Sequence, residues 1–158
     1  MILKSSNKVV SILLLTVMIF TVLIRENIFI EINAIIAGYD YNKAYFYFFN
    51  ESFAAMDIVQ LTKLKWLLTS LFVFIVAISS IVIVKLWFKN KRYTKLIILS
   101  YIGIAMLGGL IFLITYAFDV TNQYYFLLRK LLGLAHSPIP LFIFFSLFYY
   151  LDKKEIIG

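Results

Sequence analysis

The sequence predicts an all-α integral membrane protein with four transmembrane helices and an interfacial helical segment between the first and second spans. Hydrophobic residues make up 63% of the 158-residue chain and charged residues 15%. Soluble domains carry roughly 25% charged residues, so this composition excludes a water-soluble globule. Four apolar stretches approach or exceed the roughly 20 residues that cross a bilayer as a helix. No segment of alternating polarity, the pattern of a membrane β-barrel, occurs in the sequence.

The apolar stretches define the predicted spans. The first run ends at two charges, Arg25 and Glu26, after only about 24 Å of helix, so its helix is expected to continue past them to near the outer interface. We predict a single integral membrane domain over 1–158, with spans at about 9–29, 66–86, 96–118 and 131–151 and an outer aromatic segment at 30–64.

The short loop between the second and third spans determines the predicted orientation. It contains five basic residues and no acidic residue: Lys85, Lys89, Lys91, Arg92 and Lys95. Short basic loops stay on the cytoplasmic side, so both termini are expected in the cytoplasm. The net charge of +7 is therefore assigned to lipid headgroups. Membrane lipids are predicted partners, and nucleic acid is not.

Aromatic residues dominate the outer segment. Several of them recur at helical spacing on one side, which predicts an interfacial helix lying on the outer leaflet. Two interpretations stay open: an aromatic belt over the mouth of the bundle, or a docking surface for a partner. The aromatic positions on that side are Tyr41, Tyr45, Phe48, Phe49 and Phe53.

The chain lacks the residues that most classes of catalytic site require. There is no cysteine and His136 is the only histidine, so no metal site or other cofactor is predicted. Acidic residues avoid the middle of every predicted span, which disfavours aspartyl proteolysis and carboxylate-driven ion transport.

The fourth span carries the best candidate for a polar pocket. Arg129, Gly133, His136 and Ser137 fall on one helix face that enters the membrane from outside, and Pro138 follows with an expected kink. Arg25 and Glu26 are the evident polar contributors from another span. The pocket would bind a headgroup, a peptide carboxylate or a partner side chain. Alternatively, Arg129 extends to the headgroups while His136 and Ser137 hold helices together.

Small residues in the third span predict close helix packing. Ala105 and Gly109 form a small-xxx-small pair, which lets another helix approach closely. That helix could belong to the same chain or to another subunit. The small residues assigned to packing are Gly103, Ala105, Gly108, Gly109 and Gly133.

Several short motifs follow this layout. They are Leu-Ile-Arg-Glu at 23–26, Lys-Leu-Lys-Trp-Leu-Leu at 63–68, Phe-Lys-Asn-Lys-Arg-Tyr-Thr-Lys-Leu at 88–96, Tyr-Phe-Leu-Leu-Arg-Lys at 125–130 and Ser-Pro-Ile-Pro-Leu at 137–141. Together they resemble the small exosortase-associated membrane proteins of Bacteroidota, of the type that accompanies exosortase F. The resemblance implies a location in the bacterial inner membrane, as a non-catalytic companion of the exosortase, the enzyme that processes C-terminal sorting tags on exported proteins. It assigns no functional residue.

These observations predict a non-catalytic accessory or scaffold subunit of an inner-membrane complex, bound to a larger integral membrane protein. The alternative is a small lipid- or polyprenol-handling enzyme or carrier. In that alternative, Arg129 holds a phosphate and His136 moves a proton.

Overall fold

The chain is all-helical throughout the part that its structure, a computed structural model, describes: residues 5–38, 50–118 and 121–157. No strand occurs within these ranges, which confirms the predicted helical class. The helices are α1 (Ser5–Ala37), α2 (Asn50–Ala54), α3 (Ile58–Phe88), α4 (Lys91–Ala117), α5 (Thr121–Ala135) and α6 (Ile139–Ile157).

Within the described ranges, three helices are long and apolar enough to cross a membrane. The qualifying segments are Asn7–Ala37 in α1, Ile58–Phe88 in α3 and Lys91–Thr115 in α4, with 31, 31 and 25 residues. At about 1.5 Å per residue these segments measure about 46, 46 and 37 Å, against a hydrocarbon core of about 30 Å. Three such helices indicate a membrane protein.

Two of these helices extend beyond the predicted span limits. α1 continues to Ala37 instead of ending near 29, and α3 begins at Ile58 instead of 66. The predicted outer segment, 30–64, is therefore helical at both ends, and between them the structure describes only the short helix α2 and its flanks. The predicted limits describe membrane crossings, and a helix can extend beyond the apolar core of a bilayer, so the span limits stay predictions.

The predicted continuous fourth span, 131–151, is not confirmed, because the helix stops at Ala135 and a new one begins at Ile139. Pro138 has no N–H to bond the carbonyl of Leu134, and its ring disfavours helical geometry at the preceding residue. Ser137 replaces the missing donor, since its N and its Oγ both bond that carbonyl, at 3.2 and 2.9 Å. The helix is therefore interrupted between Ala135 and Ile139, where a kink was expected. Four charged residues near the end of α6 also lower its hydropathy: Asp152, Lys153, Lys154 and Glu155.

Helix ends follow local capping rules. At the start of α3, Asp57 and Gln60 form a reciprocal capping box, with Gln60 N donating to Asp57 Oδ1 at 2.6 Å and Asp57 N donating to Gln60 Oε1 at 3.2 Å. Asn90 caps α4 by accepting from Arg92 N at 2.9 Å. Gly38 ends α1 with a φ of 67°, the left-handed conformation that glycine adopts without steric cost.

The chain divides into two compact units, and the division falls within α1 and within α3. One unit contains Ile19–Phe72, and the other contains Met1–Met18 and Val73–Gly158. The single integral membrane domain over 1–158 stays a prediction.

The unit of Ile19–Phe72 has its own apolar cluster, formed by α1, α2 and α3. Its buried members are Ile28, Ile32, Phe53, Leu61 and Phe72. Because these side chains come from three helices, the cluster holds the short helix α2 against the ends of two long ones.

The other unit is held together by buried aromatic rings where α3, α4 and α6 meet. Tyr93 and Phe148 stack with their ring centres 4.4 Å apart and their planes 4° from parallel. Phe88 packs edge-on against both rings, and Phe145 lies 5.1 Å from Phe88. α5 packs along α4 in the same unit. The aromatic cluster fixes the turn between α3 and α4 against the last helix.

Replacement of Phe148 by alanine should lower the free energy of unfolding by about 3 kcal/mol, because Phe148 is fully buried and its removal leaves a cavity beside Tyr93. Thermal unfolding of the purified protein in detergent measures the effect. Phe142, on the same helix and 47% exposed, is the matched control, and its alanine variant should unfold near the wild-type temperature. Equal losses in both variants would contradict the packing role of the ring cluster.

Candidate functional site: polar side chains within the apolar helices

Arg25 and Glu26 form an ion pair within α1, with Nη2 of the arginine 2.7 Å from Oε2 of the glutamate. The Arg25 side chain is 12% exposed and that of Glu26 is 62% exposed. The guanidinium also lies over the ring of Phe29, 5.8 Å from its centre, and Phe29 meets Phe72 edge-on. These contacts neutralise the charges that interrupt the apolar run, so the prediction that the helix continues past them is confirmed.

A second polar contact connects α1 to α3 in the same unit. Lys65 Nζ donates a hydrogen bond to Asn33 Oδ1 at 2.6 Å. The predicted spans end near 29 and begin near 66, which leaves both residues outside them, so the sequence does not predict this pair. The missed signal was the spacing of Ile28, Ile32 and Ile35. This spacing continues the apolar face of the helix along the sequence past Asn33.

A role for Glu31 is likewise not predicted from the sequence. Its side chain is 1% exposed, and its Oε1 has no hydrogen-bond partner among the residues that the structure describes. Glu31 lies within the segment of α1 that is long and apolar enough to cross a membrane. An ionisable residue in such a position is a functional candidate by default, because its burial is costly.

Hydroxyl groups join the helices of the other unit. Ser80, fully buried on α3, lies 3.0 Å from the hydroxyl of Tyr101 on α4, and its Oγ also donates to the carbonyl of Val76 at 2.7 Å. The sulfur of Met18, on α1, lies 3.9 Å from the same Oγ. This contact places a polar atom at the junction of three helices.

The residues predicted to share one face of the fourth span lie on either side of the helix break. Gly133 belongs to α5, whereas His136 and Ser137 belong to the turn that follows. His136 is buried, and Ser137 also accepts from Ile139 N at 3.3 Å, so Ser137 stabilises the turn. The backbone of Arg129 belongs to α5, and its side chain lies outside the described residues. A pocket shared by Arg129 and His136 stays a prediction.

The predicted docking aromatics fall largely outside the described residues. This holds for Tyr41, Tyr45, Phe48 and Phe49. Phe53 is described and is buried in the apolar cluster with Ile28 and Leu61. Its side chain therefore contributes to the packing of this unit.

The small residues of α4 face open space. A Cβ atom added at Gly103, Gly108 or Gly109 would meet no atom within 4 Å, and Ala105 is exposed. Gly133 on α5 is equally open. The predicted pair of Ala105 and Gly109 is thus not packed against any helix in the described part of the chain.

No group of three or more histidine, cysteine, aspartate or glutamate side chains that could hold a metal ion occurs within the described ranges. The functional candidates are therefore polar residues buried in apolar helices and the open small-residue face of α4.

The bond between Ser80 and Tyr101 should contribute a coupling energy of about 0.6–1.7 kcal/mol, the size of hydrogen bonds between membrane helices. A double-mutant cycle with Ser80→Ala and Tyr101→Phe, followed by thermal unfolding, measures it. Ser79→Ala combined with Tyr101→Phe is the control and should be additive. Additivity in both cycles would refute the contribution of the bond.

Comparison of the chain with protein-family models, with curated proteins and with solved structures gave no match.

Proposed function

We propose that this protein is a non-catalytic accessory or scaffold subunit, embedded in the bacterial inner membrane and bound to a larger integral membrane protein through α4. The open small-residue face of α4 carries the proposal, since Ala105 and Gly109 let a second backbone approach and nothing in the described part of the chain occupies that space. A long, apolar α4 supports a contact at membrane depth.

The partner that we propose is an exosortase, the enzyme class implied by the resemblance of the motifs at 23–26, 63–68, 88–96, 125–130 and 137–141. In this role the protein supplies a helix surface and no reacting group. The outer segment of the chain would then lie near the exported substrates of that enzyme.

We further propose four crossings, with both termini in the cytoplasm and the turn between α3 and α4 on the cytoplasmic side. The basic residues around that turn support the orientation. α5 and α6 together would supply the fourth crossing as a broken helix, with the backbone groups freed at the break bonded by Ser137.

Gly109→Leu should abolish co-purification of the partner in mild detergent and leave the thermal stability of the isolated protein unchanged, because the new side chain enters open space. Gly103→Leu is a matched control: the same change on the same helix, equally open, but about 160° around the axis from Ala105. It should retain the partner, identified by mass spectrometry. Retention by both variants, or loss in both, would contradict a contact at this face.

The orientation is testable with single cysteines, because the chain has none of its own. A membrane-impermeant thiol reagent applied to intact cells should label Ser52→Cys and should not label Lys91→Cys or Lys153→Cys. All three positions are exposed. Labelling of Lys153→Cys without labelling of Lys91→Cys would indicate three crossings. Labelling of Lys91→Cys would indicate the opposite orientation.

A further inference from the structure

Among the charged residues that the structure describes in the unit Ile19–Phe72, Glu31 combines burial with the lack of a hydrogen-bond partner. It is 1% exposed, and Oε1 has no hydrogen-bond partner within the described ranges. Ile28 and Ile35 lie three and four residues away on the same side of α1, and both pack in the apolar cluster. Glu31 therefore lies on the side of α1 that packs in the apolar cluster, and its Oε1 is buried.

The basic side chains that the structure describes in this unit have other partners or are exposed, so none is assigned to Glu31. The remaining charged side chains that the structure describes here are Arg25, Glu26, Glu51, Asp57, Lys63 and Lys65. Lys65 bonds Asn33, which lies two residues beyond Glu31 and thus about 200° around the helix, on its other flank. Arg25 pairs with Glu26 and lies over Phe29. Lys63, Glu51 and Asp57 are exposed.

An ionised carboxylate in this place would have to remain buried without compensation. Removing a charge from water costs far more than removing a neutral acid, and a buried group without a partner neutralises instead. A neutral carboxyl group needs no counter-ion and keeps one O–H donor together with acceptor capacity. The geometry around Glu31 therefore favours the acid form.

We propose that Glu31 is a proton-binding site, whose carboxyl group holds a proton in the folded protein and releases it only when the surrounding apolar cluster opens. Release would leave a charge beside Ile28 and Ile32, so occupancy of the site by the proton and packing of the cluster are coupled. This proposal goes beyond the accessory function and rests on a different unit of the chain from the face of α4.

Infrared spectroscopy distinguishes the two forms directly, because a protonated carboxylic acid and a carboxylate absorb in separate regions. The difference spectrum between the wild-type protein and Glu31→Gln, recorded at neutral pH in lipid vesicles, should contain the carbonyl band of a protonated acid, and heavy water should shift that band. Glu26→Gln is the matched control on the same helix, and its difference spectrum should contain a carboxylate band. A carboxylate band for Glu31, with no acid band, would overturn the proposal.

A second variant guards against misfolding of the first. Glu31→Asp keeps an acid in the same cluster, so its difference spectrum should show the acid band displaced rather than lost. If the aspartate of the Glu31→Asp variant gave a carboxylate band and no acid band, that result would also overturn the proposal. Neither result depends on the partner of α4, so failure here and failure of the co-purification experiment are distinguishable.

Discussion

Polar groups in this chain must find their partners within its own helices, because the residues around them are apolar. Serine and threonine hydroxyls on the long helices bond the carbonyl one turn earlier, as Ser11 does with Asn7 and Thr69 with Lys65. The same requirement accounts for the capping box of α3. It also explains why Arg25 lies over an aromatic ring while it pairs with Glu26. Glu31 departs from this pattern, because its buried Oε1 has no hydrogen-bond partner in the described part of the chain.

The same requirement decides where helices stop. α1 continues through Arg25 and Glu26 because their charges neutralise each other, whereas α5 stops before Pro138 because proline removes a backbone donor. Ser137 then bonds the carbonyl of Leu134, and α6 can begin directly afterwards. Pro140 causes no further break, since the first turn of a helix leaves its N–H groups unbonded in any case. Helix continuity in this chain thus depends on backbone bonding more than on hydropathy.

Composition and apolar run length were sufficient to predict the helical class and the positions of the three long helices. They were insufficient to predict where these helices begin and end. Hydropathy treats every charged residue alike and contains no information on the hydrogen bond between Lys65 of α3 and Asn33 of α1. The spacing of Ile28, Ile32 and Ile35 was the missed sign that α1 continues past residue 29. The apolar cluster of the same unit joins Phe53 with Ile28, which are distant in sequence, and no local pattern predicts such contacts.

Exposed apolar side chains on α4 say little about a partner, because lipid tails cover them as well as a protein does. Glycine differs, since it has no side chain to pack against lipid and costs a helix in water about 1 kcal/mol relative to alanine. A Cβ atom added at any of the three glycines of α4 would meet no atom within 4 Å in the described structure: Gly103, Gly108 and Gly109. Packing within the described ranges therefore does not offset that cost. A close backbone contact from another subunit would do so. Of the two sides that these glycines occupy, the one with Ala105 and Gly109 has the spacing at which two helix backbones approach most closely, which makes it the physically favoured side for the partner.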